Sequence, residues 1–146
     1  MNQFEQLLIA LKQVHESFID IIQTSDDSGI SHANIFLLFM IYRKGSIKTT
    51  DISKHFDITP GAATAIADKL ESLGFIERER DKKDRRVVVI SLSEKGLEFL
   101  NQRRNNNVKL FEKILKDFSE DEIFSVIASL NKISDAIAHF KASRSE

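Results

Sequence analysis

The chain contains 146 residues, of which 42% are hydrophobic and 29% charged, and its formal net charge is −1. This composition indicates one domain with a substantial apolar core and a polar exterior, and no apolar run approaches the roughly 20 residues of a membrane span. The sequence has no cysteine, which excludes disulfides, thiolate metal sites and thiol-based redox sensing, and a cytoplasmic location fits.

The first two helices are predicted from the spacing of apolar residues. An amphipathic stripe runs from Phe4 to Ile22, and a helix of this kind has to bury its stripe on another surface. Ser31 is a suitable N-cap for a second helix over about 32–43. Because that segment is apolar almost all round, we expect it to be the central buried helix.

Two short helices come next, separated by about three residues, which is the spacing of a helix-turn-helix. We expect Thr49 or Thr50 to cap the first, after a short strand at Ile47. Thr59 is predicted to cap the second, with Pro60 at its first helical position. In a helix-turn-helix the second helix enters the major groove of DNA. Small residues on the outer face of this helix would let DNA approach closely. They are Gly61, Ala62 and Ala65.

A β-hairpin with a basic tip follows the second short helix. Gly74 is predicted to end the helix in the left-handed conformation, and strands are predicted at 75–76 and 87–90. The intervening segment 78–86 contains six basic and three acidic residues. An arginine on a narrow tip can enter the minor groove, where the potential is strongly negative. A solvated charged turn would have the same composition.

Two long helices are predicted in the remaining chain. The first begins at about residue 93, and a capping box of Ser119 and Glu122 starts the second, whose apolar residues fall near a heptad seam. Together with the helix at 4–22, these helices favour a symmetric homodimer, because a DNA-reading dimer needs two half-sites. Packing within one chain is the alternative use of the same apolar faces.

The element order and two motifs resemble the MarR family of bacterial winged-helix transcriptional regulators. Residues 84–96, DRRVVVISLSEKG, resemble the family's wing signature, in which Asp-x-Arg precedes an apolar-x-Leu-Thr/Ser pair and a glycine. Residues 70–78, LESLGFIER, are similar to the family's pattern of Leu, three residues, Gly, an apolar pair and Arg. The resemblance extends over nearly the whole chain.

The resemblance implies a mainly α fold with a small β-wing. A winged helix-turn-helix domain at about 31–97 would be flanked by N- and C-terminal dimerisation helices at about 4–22 and 98–142. Residues 1–146 would together form a single MarR-like domain.

The resemblance also implies roles for particular side chains. Arg86 would enter the minor groove, and Asp84 would orient it through a salt bridge or would act only as a turn former. Ala65 stands where many family members have Arg, so a bidentate contact to guanine is missing, and thymine methyls and DNA shape would matter more. Arg103 and Arg104 either reach a phosphate or lie on an exposed helix. The predicted DNA-binding residues are Thr59, Gly61, Ala62, Thr64, Ala65, Lys69, Lys82, Lys83, Arg85 and Arg86.

The function that these expectations describe is a sequence-specific DNA-binding transcriptional regulator. It would act as a homodimeric repressor on a pseudo-palindromic, double-stranded operator and be released by a small-molecule effector. The resemblance suggests an effector pocket that could be lined by Phe36, Phe39, Met40 and Tyr42, but apolar residues on a central helix favour the alternative that they are plain core.

Two other classes of function remain as alternatives. A winged-helix module that binds protein without specific DNA binding fits the slightly negative net charge. An enzyme is disfavoured, because the four histidines lack metal-ligand spacing and no nucleophile elbow, phosphate-binding glycine loop or pair of catalytic carboxylates is present. We therefore expect no catalytic residues, no metal site and no cofactor.

Overall fold

A computed structural model describes residues 1–145 and shows a mainly helical fold with one small antiparallel sheet. The elements, in chain order, are α1 (Gln3–Ser25), α2 (His32–Lys44), β1 (Ser46–Lys48), α3 (Thr49–Phe56), α4 (Pro60–Ser72), β2 (Ile76–Arg80), β3 (Val88–Leu92), α5 (Glu94–Ile114) and α6 (Glu120–Arg144). The predicted order of helices, helix-turn-helix, hairpin and long C-terminal helices is confirmed.

The sheet has the strand order β1-β3-β2, with both pairs antiparallel. Ile90 in the central strand lies opposite Ile47 on one side and Arg78 on the other. The predicted short strand at Ile47 is therefore present. Strand β2 pairs with β3 alone and is an edge strand, and only from the pair of Arg80 with Val88 to the tip does the hairpin extend beyond β1 as a two-stranded ribbon.

The core of the first compact unit, Met1–Asn107, is built from α2, the helix-turn-helix, the sheet and the start of α5. Helix α2 contributes more buried side chains than any other described element, which confirms the prediction that it is the central helix. Burying a Leu or Ile side chain contributes about 1.5–3 kcal/mol. The fully buried large side chains are Leu37, Leu38, Ile41, Ile52, Leu70 and Ile90.

Local capping signals position most helix starts. The side chains of Ser31 and Thr59 accept backbone N–H groups of α2 and α4, as predicted, and Pro60 is the first residue of α4. The prediction for α3 was wrong. Its N-cap is Lys48, whose backbone N–H donates to Asp51 Oδ2 at 2.8 Å. Strand β1 runs directly into the helix, so both threonines already lie inside its first turn.

The hairpin differs from its predicted boundaries. Pairing continues to Arg80 opposite Val88, so Arg78 and Arg80 belong to strand β2 and the tip is shorter than predicted. Gly74 has a φ of 80°, as predicted for the residue that ends α4. Gly96, in the first turn of α5, lies against the backbone of Phe75, and a Cβ there would overlap the Phe75 carbonyl. This close approach seats the start of α5 against the base of the hairpin.

A buried ion pair joins α5 to the residue that follows α1. Arg103 Nη1 lies 3.0 Å from Asp26 Oδ2, and the two side chains are 9% and 14% exposed. Burial raises the pKa of Asp26, but hydrogen bonds from Ser28 and the charge of Arg103 outweigh it and leave the pKa below its ordinary value. Two positions were predicted for Arg103, one in contact with a phosphate and one on an exposed helix face. Both predictions were wrong, because Arg103 lies on the buried side of α5.

The second compact unit, Val108–Glu146, contains the end of α5 and helix α6. Ser119 and Glu122 form the predicted capping box. No residue of α6 is buried, although the helix carries a long apolar stripe. The large exposed side chains of this stripe are Phe124, Val126, Ile127, Leu130, Ile137 and Phe140. Across residues 1–145, no helix combines the length and the apolar character of a membrane span.

Candidate nucleic-acid interface

Helix α4, which we call the recognition helix, has two faces of opposite character. Ala63, Ala67 and Leu70 are fully buried in the core. The other face is exposed and holds the predicted contact residues, so the structure places them on one surface. These residues are Thr59, Gly61, Ala62, Thr64, Ala65 and Lys69. Their side chains are short except for Lys69, which lets another surface come close to the helix backbone.

The two threonines on this face already make hydrogen bonds within the helix. Thr59 Oγ1 accepts the N–H of Ala62 at 3.1 Å as the N-cap. Thr64 Oγ1 donates to the Pro60 carbonyl at 2.9 Å. A hydroxyl has one hydrogen to donate and two lone pairs to accept with. Thr64 in this rotamer can therefore only accept a hydrogen bond from a base.

The tip of the hairpin is closed by its own hydrogen bonds. The N–H of Asp81 donates to the Val87 carbonyl at 2.9 Å, and the N–H of Val87 donates to the Asp84 carbonyl at 3.0 Å. Arg80 Nη1 donates to the Arg85 carbonyl at 2.8 Å. These bonds hold the predicted tip residues Lys82, Lys83, Arg85 and Arg86 in one short, solvent-exposed turn.

Asp84 organises the end of the tip. Its Oδ1 accepts the backbone N–H of Arg86 at 3.0 Å, and its two oxygens accept Nε and Nη2 of the Arg86 side chain, both at 3.1 Å. Hydrogen bonds from Arg86, aided by the positive charge of Lys48, lower the pKa of Asp84 from its ordinary value. Asp84 is thus a turn former and a salt-bridge partner at once. Arg86 itself is 91% exposed.

A second ion-pair cluster connects the recognition helix with strand β2. Arg78 Nη2 lies 2.6 Å from Asp68 Oδ1 and 2.8 Å from Glu71 Oε1. The hydrogen bond from Arg78 lowers the pKa of Glu71, and the two carboxylates raise the pKa of Arg78. In the sequence, Arg78 stands out only as the last residue of the motif at 70–78 and the first of the basic segment 78–86. Its sequence position gives one usable signal, since it lies in the middle of a strand that follows directly on the helix.

The four residues predicted to line an effector pocket lie in different environments on α2. Met40 is buried in the core, and Phe39 packs against the core while partly exposed. Phe36 and Tyr42 are 40% and 51% exposed, and Phe36 stacks on the exposed His55 with ring centroids 5.5 Å apart. A cavity of about 210 Å³ in the first unit has a different lining. It is formed by Gln23, Asp26, Gly29, Ile30, His32 and Arg103.

A helix-turn-helix followed by a β-ribbon defines the winged-helix class. In this chain the ribbon carries a basic tip, and the recognition helix exposes a face of small residues. This is the arrangement by which the class places a helix in the major groove while a tip arginine reaches a minor groove.

Comparison with known proteins identifies the family. The model of the MarR family matches residues 30–88. The uncharacterized HTH-type transcriptional regulator YwhA of Bacillus subtilis is 34% identical over 105 residues, which are 72% of this chain and 76% of the relative. The chain belongs to the MarR family of transcriptional regulators, as the sequence motifs predicted.

Two further proteins are similar over most of the chain. The HTH-type transcriptional repressor MdtR of Bacillus subtilis is 26% identical over 117 residues, covering 80% of this chain and 76% of the relative. The crystal structure of Streptococcus pneumoniae FabT in complex with DNA has a TM-score of 0.70 and 23% identity, covering 94% of this chain and 99% of FabT. The likeness to FabT confirms the winged-helix fold.

Proposed function

We propose that this MarR-family regulator is a homodimeric repressor that binds a pseudo-palindromic, double-stranded operator and is released by a small-molecule effector. The observation that carries the proposal is the hairpin tip, where Asp84 holds the nearly fully exposed Arg86 within a closed turn. The repressor role is supported by the similarity to MdtR, which is named as a repressor, and DNA binding by the fold shared with DNA-bound FabT.

In this proposal the recognition helix enters the major groove. The exposed face of α4 has Cβ and methyl groups and only the two threonine hydroxyls, so thymine methyls and groove shape would contribute more than bidentate hydrogen bonds. Lys69 would neutralise a phosphate. At the tip, Arg86 would enter the minor groove, while Lys82, Lys83 and Arg85 would contact the flanking phosphates.

The dimer would use the apolar stripes that the single chain leaves exposed. On α1 only Ile22 is buried, and on α6 no residue is. Exposed apolar surface of this extent is a mark of a protein–protein interface. Residues of about 4–22 and 98–142 would form the dimer, and about 31–97 would read DNA, within a single functional domain. Two recognition helices would then contact half-sites about 10 base pairs apart.

The effector would bind beside helix α2. Phe36 and Tyr42 are the predicted pocket residues that remain accessible on α2, whereas Met40 is committed to the core. An effector that binds beside them would act by shifting the dimer towards a form with poorly spaced recognition helices. The proposal includes no catalytic reaction, and it places the protein in the cytoplasm, where bacterial DNA lies.

The alternative function is a winged-helix module that binds another protein. The formal net charge of −1 favours it, because small DNA-binding domains are often basic overall. The concentration of basic residues at the tip favours DNA, since a local basic patch suffices for phosphate binding.

The proposal is tested by gel shift with the promoter region upstream of the protein's own gene, across a salt series. We expect a specific complex whose log affinity falls linearly with log salt concentration, with a slope that counts the phosphates neutralised. A scrambled fragment of the same length is the control. If neither the promoter nor random genomic fragments form a complex at low salt, DNA binding is excluded and the protein-binding module becomes the better account.

A further inference from the structure

Arg78 makes a three-point contact with the recognition helix. Its Nη2 lies between Asp68 Oδ1 at 2.6 Å and Glu71 Oε1 at 2.8 Å, and its Nε donates to Glu71 Oε2 at 3.1 Å. The pairing with Glu71 is therefore bidentate, which fixes orientation as well as distance. The Arg78 side chain is 24% exposed, whereas Asp68 and Glu71 are 59% and 43% exposed, so water reaches the carboxylates and the bidentate geometry, more than burial, defines the contact.

The same strand is tied to the hairpin tip at its other end. Arg80 lies two residues further along β2, on the same face of the ribbon, and its Nη1 donates to the carbonyl of Arg85 at 2.8 Å. Arg85 directly precedes Arg86, the residue held by Asp84. Two arginines of one strand thus connect the recognition helix to the residue next to the exposed tip arginine.

Strand β2 needs such a connection because it is an edge strand. It pairs with β3 on one side only, and β1 lies on the far side of β3. Beyond the pair of Lys48 with Val89 the hairpin continues towards its tip as two strands only, and a two-stranded ribbon twists more than a wider sheet. Core packing of Ile76 anchors the start of β2, and the side-chain contacts of Arg78 with α4 add a restraint nearer to the tip.

We propose that Arg78 is a positioning residue that holds the recognition helix and the hairpin tip at one separation, so that α4 and Arg86 engage DNA as a single rigid unit. This inference rests on the proposed function, because it concerns how that DNA surface works. The benefit to affinity is entropic, since a tip that is already in place loses little freedom on binding.

A second role for Arg78 has a different signature. The guanidinium also neutralises Asp68 and Glu71, two carboxylates on a helix that faces DNA phosphates. If neutralisation were its whole role, replacing both carboxylates would restore binding in an Arg78 variant. If Arg78 positions the tip, the same replacement would break the connection even in the presence of Arg78.

The test is a double-mutant cycle measured on the operator fragment from the protein's own promoter. In the wild-type background we expect Arg86→Ala to weaken binding roughly 5- to 150-fold. In the Arg78→Gln background the same change should weaken binding less than about threefold. In the Asp68→Asn/Glu71→Gln background, Arg86→Ala should again weaken binding less than about threefold. In the Arg78→Lys background, which keeps the charge without the planar guanidinium, the loss caused by Arg86→Ala should be intermediate.

The matched control is Arg144→Gln, which removes a guanidinium at the end of α6. In this background the loss of operator affinity caused by Arg86→Ala, called the Arg86 factor, should be the same as in the wild type. If no specific complex forms with the wild-type protein, the proposed function is overturned. If that complex forms and the Arg86 factor is the same with and without Arg78, only the positioning role is overturned. Restored binding in a variant that combines Arg78→Gln with Asp68→Asn and Glu71→Gln would also overturn it, in favour of neutralisation.

A second measurement reports on the same contact without DNA. Because the chain has no cysteine, spin labels can be placed at Ala65→Cys on α4 and Lys82→Cys on the tip with no background labelling. We expect a narrow distribution of label distances with Arg78 and a broader one with Arg78→Gln. Equal widths in the two proteins would show that other contacts hold the hairpin, and would overturn the inference whatever the DNA result.

Discussion

The winged-helix region and the two terminal helices make opposite use of similar apolar side chains. In the region from α2 to the start of α5, Leu38, Ile41 and Ile90 are fully buried within one chain. Helices α1 and α6 are also rich in Phe, Leu and Ile, yet in α1 only Ile22 is buried and in α6 no residue is. The first region completes its own core, whereas the terminal helices present stripes that need another surface.

The contrast follows from the geometry of each helix. Helix α2 is apolar on several faces, so the other helices and the sheet can surround it. Helices α1 and α6 are long and apolar along one stripe, and a single stripe buries well only when a second stripe of similar length runs beside it. The comparison predicts that changes in the two regions will affect different measurements.

The largest effect is expected from the α6 stripe. Leu130→Glu combined with Ile137→Glu should abolish the dimer, because two apolar contacts worth about 1.5–3 kcal/mol each are lost. That loss corresponds to a rise of roughly two to four decades in the dimer dissociation constant. Sedimentation equilibrium measures the constant, and circular dichroism reports whether the helices remain.

The matched control places two Glu residues on the opposite face of the same helix, at Ser125 and Lys132, and should leave the dimer intact. A wild-type protein that sediments as a monomer would contradict the assignment of the stripes to a dimer. An intact dimer in the Leu130→Glu/Ile137→Glu variant would move the interface elsewhere.

A somewhat smaller effect is expected from the ion pair between Asp26 and Arg103. Arg103→Met leaves a buried carboxylate without its partner, which should lower the free energy of unfolding by about 3 kcal/mol at pH 7. Urea denaturation measures the loss. Arg104→Met, on the exposed neighbour, should change the same free energy by less than about 0.5 kcal/mol.

The pH dependence of this loss has a definite sign. The pKa of Asp26 in the folded protein is below its ordinary value, so its contribution to stability is present above the unfolded pKa of about 3.9 and disappears as pH falls through the folded pKa. The difference between wild type and Arg103→Met should therefore shrink progressively as pH falls below the unfolded pKa of about 3.9. A difference that stays constant from neutral to acid pH would show that the loss comes from packing of the Arg side chain.

The smallest effect is expected at the hairpin tip. Arg86→Ala removes a side chain that is almost fully exposed, so the fold and the dimer should be unaffected. Operator binding should weaken by roughly 1–3 kcal/mol, because the minor-groove contact is lost. Fluorescence anisotropy with labelled operator measures the affinity, with Arg144→Ala as the control. Wild-type affinity in Arg86→Ala would rule out the tip as a DNA contact.

Many local features could be predicted from the sequence. Ser31, Thr59 and the Ser119–Glu122 box were recognised as helix starts, and Gly74 as a helix end, because a cap depends on residues within about one turn of each other. The buried and exposed faces of α4 followed from helical spacing in the same way. The wing signature around Asp84 identified the family, since it too lies within one short segment.

The candidate site could be predicted only in part. The exposed residues of α4 and the tip were named correctly as surface residues, because their spacing placed them there. The partners of Arg78 were not found, since the charges that face it lie on a different element. The pocket residues of α2 were grouped by their closeness in sequence, but Met40 and Tyr42 face different surroundings in the fold.

The sequence by itself determined the elements, their order, most of their caps and the family, because each depends on neighbours along the chain. Only the tertiary structure decided that Arg103 is buried against Asp26, that Arg78 binds Asp68 and Glu71, and that Gly96 packs on the Phe75 backbone. These contacts join residues on different elements. Their strength depends on the distance and burial of both partners, which exist only after the chain has folded.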